Sequence, residues 1–183
     1  MSRAAQPQPI NQLHATEARW FAVRTNYKRE KLVKRLLDQK GIENYLPLRE
    51  VTRRYTRKIR VLQLPLISCY IFVRIVRDQY VPVLDTPDVL GFIKMRRDLI
   101  AIPDEEIDLL RRIAGEGIEV EADPASYREG DWVEIIGGNL TGLQGRLVEI
   151  DGSKEFVVEL ENIGYALRMR IPANLLRKVR VPV

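Results

Sequence analysis

Apolar positions along the chain change period several times, and each change marks an element. Trp20, Phe21, Ala22 and Val23 form a short apolar run within residues 19–26, which predicts a first strand. Thr25 or Asn26 can cap the element that follows. From Tyr27 to Lys40, Leu32, Val33, Leu36 and Leu37 recur at helical spacing and Gly41 supplies a stop, so an amphipathic helix is expected. Glu43 to Val51 reads as a strand in which Pro47 points to an edge or a bulge. Ile59 to Leu64 is a second apolar run beyond the basic residues 52–58, and the pair predicts a hairpin with a basic tip. The most strand-like stretch is Cys69 to Ile75. Alternation places Cys69, Ile71, Val73 and Ile75 on one face and Tyr70, Phe72 and Arg74 on the other. Two readings of it stand. It is a central strand buried on both faces, or one face meets helices while the other offers aromatics beside an arginine as a binding surface.

Beyond it, Asp78 to Leu84 predicts a short helix limited by Pro82, and Gly91 to Met95 a short strand. Pro103 suits the first position of a helix. Asp104, Glu105 and Glu106 follow in its first turn, Arg111 and Arg112 lie in its last, and Gly115 ends it. That charge order complements the helix dipole. Gly115 to Ala125 then carries four acids, no base and Pro124, and reads as a linker. Five short strands are expected after it, over 131–136, 145–150, 155–161, 165–171 and 177–181. Glycines punctuate them at Gly137-Gly138, Gly142, Gly145, Gly152 and Gly164, which suggests a small closed or nearly closed barrel. The expected division is a flexible tail (1–18), a first domain (19–113), an acidic linker (114–126) and a barrel domain (127–183).

Charge sharpens this picture once it is located. The chain of 183 residues has a formal net charge of +5. Residues 19–113 hold 21 Lys/Arg against 12 Asp/Glu, the linker is acidic, and the barrel region is neutral with eight of each. The basic character is concentrated on the first helix and the hairpin tip, which is the layout of a domain facing a polyanion. Tyr55 among the tip cations can stack on an exposed base. A hydrophobic fraction of 45% supports a packed core. Cys69 is the only cysteine and His14 the only histidine, which excludes an internal disulfide and a cysteine-rich metal site. Gly137 to Gly142 lacks the Gly-Lys-Ser/Thr ending of a phosphate loop, and no nucleophile–base set is visible. No enzyme, cofactor or metal is therefore expected. With no apolar run of membrane-spanning length and no signal-like start, a reducing cytoplasm is the expected location.

Two sets of residues carry a resemblance. Trp20-Phe21-Ala22-Val23 before a basic helix, Pro65-Leu66-x-x-x-Tyr70-Ile71-Phe72-Val73 and Gly91-Phe92-Ile93 resemble the N-terminal domain of the NusG family of transcription elongation factors. Gly130-Asp131-x-Val133-x-Ile135-x-x-Gly138-x-x-x-Gly142-x-x-Gly145-Arg146-Leu147-Val148 resembles the KOW motif of its C-terminal domain. The basic hairpin and the helix after Pro103 look more like the operon-specific antiterminators of the RfaH, UpxY and LoaP type. One departure is Ile67-Ser68-Cys69-Tyr70, where the family has Phe-Pro-Gly-Tyr or Phe-Pro-Asn-Tyr, so the chain is expected to bend differently there.

The resemblance implies an α+β protein: an N-terminal α/β sandwich, with an antiparallel sheet carrying helices on one face, followed by a small SH3-like β-barrel. It implies that Tyr70 and Phe72, with Arg24, Ile93 and Met95 around them, dock on the clamp helices of the largest RNA polymerase subunit and suppress pausing. It implies that Lys28, Arg29, Lys31, Arg53, Arg54, Arg57 and Lys58 approach upstream or non-template DNA. In the barrel it implies that Leu140, Leu143 and Ile163 face the ribosomal protein NusE or Rho. The alternative for these three is that they plug the barrel's open ends. The expected factor is a monomer that does not bind membranes. Two other readings are a general factor supporting Rho-dependent termination and a ribosome-associated KOW protein that binds RNA.

Overall fold

The computed structural model describes residues 9–124 and 129–181. In chain order the elements are β1 (Arg19–Thr25), α1 (Glu30–Gln39), β2 (Asn44–Tyr45), β3 (Leu48–Tyr55), β4 (Lys58–Pro65), β5 (Tyr70–Ile75), α2 (Tyr80–Leu84), β6 (Val89–Phe92), α3 (Asp104–Ala114), β7 (Val120–Asp123), β8 (Asp131–Ile135), β9 (Gln144–Ile150), β10 (Ser153–Leu160), β11 (Tyr165–Met169) and β12 (Leu176–Lys178). They form an α+β chain of two compact units. One joins the residues up to Leu46 with Ser68–Pro103, and the other joins Pro47–Ile67 with the chain from Asp104 onward.

The first unit is built on an antiparallel sheet of order β2-β5-β1-β6. The two central strands run from Arg19 opposite Ile75 to Arg24 opposite Tyr70. Phe21, Val23, Ile71, Val73 and Ile75 fill one face and are fully buried, as are Val33 and Leu37 of α1 and Val83 of α2. Phe92 stacks on Tyr80 at 4.5 Å and meets Phe21 edge-on at 6.2 Å. Each such side chain contributes about 1.5–3 kcal/mol on leaving water, so this face anchors the unit. Helix α1 starts at Glu30 rather than Tyr27, and no side chain caps it. Asn26, expected as a cap, instead donates through Nδ2 to Asp88 Oδ1 at 2.9 Å.

Glu30 explains the bend before β5. Its carboxylate is buried, and Oε1 accepts the Cys69 N–H at 2.7 Å. Cys69 has φ 65°, and its carbonyl accepts the Thr25 N–H at 2.9 Å. Cys69 is therefore a left-handed corner and not the first residue of the strand.

Residues 9–18 of the expected flexible tail are tied down. Gln12 N–H donates to the Leu99 carbonyl, Leu99 N–H donates to the Ile10 carbonyl, and Gln12 Oε1 accepts from Ala101 N–H at 2.7 Å. Leu13 is buried. Backbone bonding to a distant loop was invisible in a polar, proline-bearing stretch. Residues 1–8 lie outside the described residues.

The second unit holds an antiparallel sheet of order β12-β8-β9-β10-β11-β7 and the two-stranded hairpin of β3 and β4. Val133, Ile135, Phe156, Leu160, Leu167 and Met169 make its core. Gly145 is obligatory, because a Cβ there would strike the Val157 carbonyl and the Phe156 ring. The acidic stretch expected as a linker contains β7, whose Val120 lies opposite Met169 of β11. Its acids have a use: Arg168 pairs with Glu121, with Asp123 at 3.4 Å and with Glu155 at 3.7 Å. Counting charge hid the period-two alternation of Val120, Glu121, Ala122 and Asp123. Residues 125 and 126 of that stretch are outside the described residues. The hairpin and α3 also group with the barrel sheet, not with the sheet of β1. At the hairpin base Arg49 Nη1 donates to the Val120 carbonyl at 2.6 Å.

Candidate macromolecular interfaces

Register places the expected docking residues of the first unit. Tyr70 lies opposite Arg24, and Phe72 lies opposite both Ala22 and Tyr45. Ile93 N–H donates to the Ala22 carbonyl at 2.9 Å, which sets Ile93 beside the same row. Exposure divides the set. Phe72 is 0% exposed, and Trp20 and Ala22 on the same face are 3% and 5% exposed. The Phe72 ring, expected as a docking aromatic, is therefore covered within this structure and is not presented at the surface. The face is open only at its rim, where Tyr70 and Ile93 are half-buried and Arg24 is exposed. Met95 is 44% exposed, in a tight turn closed by paired backbone bonds with Asp98. Of the two readings of β5, burial on both faces holds at Phe72 and an accessible surface remains at Tyr70. Tyr45 belongs to this row and was missed, because nothing before Pro47 showed that Asn44 and Tyr45 pair with β5.

The expected nucleic-acid residues fall into two groups. Near α1, Lys28 and Lys31 are exposed. Arg29 is engaged, with Nε 3.1 Å from Asp88 Oδ2. The Asn26 amide and then Arg29 hold the Asp88 carboxyl below its ordinary range, with burial opposing them. The second group lies on the hairpin, whose ladder runs from Leu48 opposite Pro65 to Tyr55 opposite Lys58. Only Thr56 and Arg57 form the turn. Arg53, Arg54 and Lys58, expected in the basic tip, are paired ladder residues, and all residues from Thr52 to Val61 are exposed.

In the second unit Leu140 and Ile163 are each 4% exposed, and Leu143 is half-buried. The loops bearing the first two are held by α3. Arg112 Nη2 donates to the carbonyls of Asn139 at 3.3 Å and Thr141 at 3.2 Å, on either side of Leu140. Glu106 Oε1 accepts from the backbone and side chain of Asn162, at 3.2 and 2.7 Å, next to Ile163. Leu140 and Ile163 are thus buried side chains rather than presented ones, as in the barrel-plugging alternative. Burial pushes the Glu106 carboxyl above its ordinary range, against the two bonds from Asn162. Its Oε2 is buried without a hydrogen-bond partner.

Comparison with known proteins gives this geometry a frame. The family model described as NusG, transcription termination factor nusG, matches residues 18–111, and that of the KOW motif matches residues 129–160. The chain belongs to the NusG family. Proteins called transcription termination/antitermination protein NusG, from Streptococcus pyogenes serotypes M1 and M3, are 28% identical over 149 residues, covering 74% of this chain and 82% of theirs. A solved structure described as "Domain interaction in Thermotoga maritima NusG" superposes with a TM-score of 0.57 at 22% identity, covering 90% of this chain and 98% of that one. It supports the fold.

Glycine and asparagine are the two residues that best tolerate a left-handed backbone, and here Cys69 takes it, with Glu30 holding its amide in place. No helix among the described residues is long and apolar enough to cross a membrane.

Proposed function

We propose that this NusG-family chain is a transcription elongation and antitermination factor that docks on the clamp helices of RNA polymerase through the rim of Arg24, Tyr70, Ile93 and Met95. The observation that supports this best is that the sheet face away from α1 and α2 closes over Phe72 but stays open at Tyr70 beside Arg24. Tyrosine and arginine are among the residue types most enriched at the energetic centres of protein interfaces. Lys28, Lys31 and the hairpin cations then approach nucleic acid of the transcription complex, adding affinity that falls with salt. The KOW region recruits a further protein, with Leu143 on its accessible surface. The chain works in the cytoplasm, where the polymerase is.

The test is capture of purified RNA polymerase by the tagged full-length chain. Tyr70→Ala should lower affinity by about 2 kcal/mol, roughly 30-fold, with an unchanged circular dichroism spectrum. Unchanged capture at equal folding refutes the docking surface. A second reading is a general factor that also supports Rho-dependent termination, and the names of the streptococcal relatives cover both termination and antitermination. Transcript read-through across many operons separates the two. An effect confined to one operon supports the specialised factor.

A further inference from the structure

The base of the hairpin borders a cleft within the second unit. Residues 49–52 of β3 form one wall, residues 117–121 leading into β7 form the other, and the space between them is about 390 Å³. Among the described residues β3 pairs with β4 alone, and no backbone hydrogen bond joins it to β7. Arg49 crosses the cleft to the Val120 carbonyl, so that part of the β7 edge is taken. Val120 is buried, whereas Glu50, Thr52, Gly117 and Glu119 are exposed.

The edge of β3 is unfinished, and its register is defined. The two-residue turn at Thr56-Arg57 makes Tyr55 and Lys58 a pair that exchanges both backbone bonds. Along an antiparallel ladder such pairs alternate with pairs whose backbone groups point outward. Thr52 and Glu50 therefore turn their N–H and C=O groups away from β4, toward the open side. A two-stranded hairpin is only marginally stable by itself, and a third strand completes it. The cleft also states what that strand carries. Alternation puts Glu50 and Thr52 on one face of the hairpin and Arg49 and Val51 on the other. A residue added opposite Glu50 shares its face and meets a carboxylate, while one opposite Val51 meets an apolar side chain. Glu119 adds a second carboxylate from the facing wall. Neither Glu50 nor Glu119 forms an ion pair within the described residues. These acids repel a phosphate backbone and attract lysine or arginine.

We infer that the outer edge of β3, at Glu50 and Thr52, is a docking site for an extended segment of a partner protein in which basic and apolar residues alternate. The segment adds to the hairpin as a third strand. Its backbone pairs with Glu50 and Thr52, its cations meet Glu50 and Glu119, and its apolar side chains lie toward Val51 and Ile118. The site is separate from the Tyr70 rim and does not depend on the polymerase reading.

The experiment is fluorescence anisotropy of the full-length chain with a labelled peptide of about six residues alternating lysine and valine. The comparison peptides are a glutamate–valine version and a lysine–valine version N-methylated along its backbone, which cannot pair as a strand. The lysine peptide should bind at least tenfold more tightly than either. Glu50→Gln and Glu119→Gln should each weaken it about threefold. Glu149→Gln, at an exposed glutamate on β9, should leave it unchanged. Hydrogen exchange at the Glu50 and Thr52 amides should slow when the peptide is bound. Equal binding of the N-methylated peptide, no loss from Glu50→Gln and Glu119→Gln, or unchanged exchange at both amides would overturn the assignment. Displacement of the peptide by an equal concentration of a thymidine oligonucleotide would also overturn it, giving the edge to nucleic acid. So would sedimentation of the wild-type chain as a dimer that Glu50→Gln dissociates, because the third strand would then come from a second copy.

Discussion

Replacing Cys69 by glycine should make this protein more stable, although glycine usually weakens a strand end. Cys69 sits at φ 65°, where a side chain on Cβ crowds the backbone at a cost of roughly 1–2 kcal/mol. Glycine removes that strain but loses more backbone entropy on folding, about 0.5–1 kcal/mol. The backbone bonds that define the corner, Cys69 N–H to Glu30 Oε1 and Thr25 N–H to the Cys69 carbonyl, are indifferent to the side chain. The thiol is only half-buried, so little packing is lost. The balance is a gain of about 0.5–1 kcal/mol, or about 1–4 °C in Tm for a chain of this size. Scanning calorimetry of wild type, Cys69→Gly and Cys69→Asn measures it, and asparagine should also stabilise because it tolerates the left-handed region. A drop in Tm for both variants would refute the reasoning, because it would mean that the corner is not left-handed or that the thiol is needed for packing.

Other outcomes follow from burial. Phe72→Ala should cost about 3–5 kcal/mol in urea unfolding, as expected of a fully buried ring; a loss under 1 kcal/mol would return Phe72 to the surface. Gly145→Ala should destabilise the barrel unit by several kcal/mol, of order 2–4, because the carbonyl it strikes is backbone; near-neutral stability would contradict that packing. The raised Glu106 carboxyl binds its proton more tightly when folded. Its stabilising contribution is fully present below its unfolded pKa and is lost as pH rises through the folded value. Relative to Glu106→Gln, wild type should lose stability over that rise, and parallel pH–stability curves for the two proteins would count against it.

Most elements could be read from periodicity, because β5, α1 and α3 each bury a face set by the spacing of their own apolar residues. What could not be read depended on partners distant in sequence. Phe72 and Tyr70 are equivalent in an alternation pattern, and their difference, full burial against partial exposure, is set by residues distant in sequence. The acids of β7 read as linker because the arginine they face, Arg168, is 47 residues from Glu121. Leu140 and Ile163 lie on glycine-punctuated loops, which usually means exposure, and the hydrogen bonds that Arg112 donates to one loop and Glu106 accepts from the other carry no local signal. The basic hairpin could be located from composition, but not the split of its residues between two faces. That needed the register, which the Thr56-Arg57 turn does not encode in a recognised signature.

The claim that the Tyr70 rim meets RNA polymerase is tested most directly by photo-cross-linking. A photoreactive residue would replace Tyr70 in one chain and the exposed Lys154, on the barrel sheet, in another, each mixed with assembled transcription elongation complexes. The expected result is a cross-link from position 70 to the largest polymerase subunit and none to it from position 154. No polymerase adduct from position 70, or equal adducts from both positions, would contradict the account.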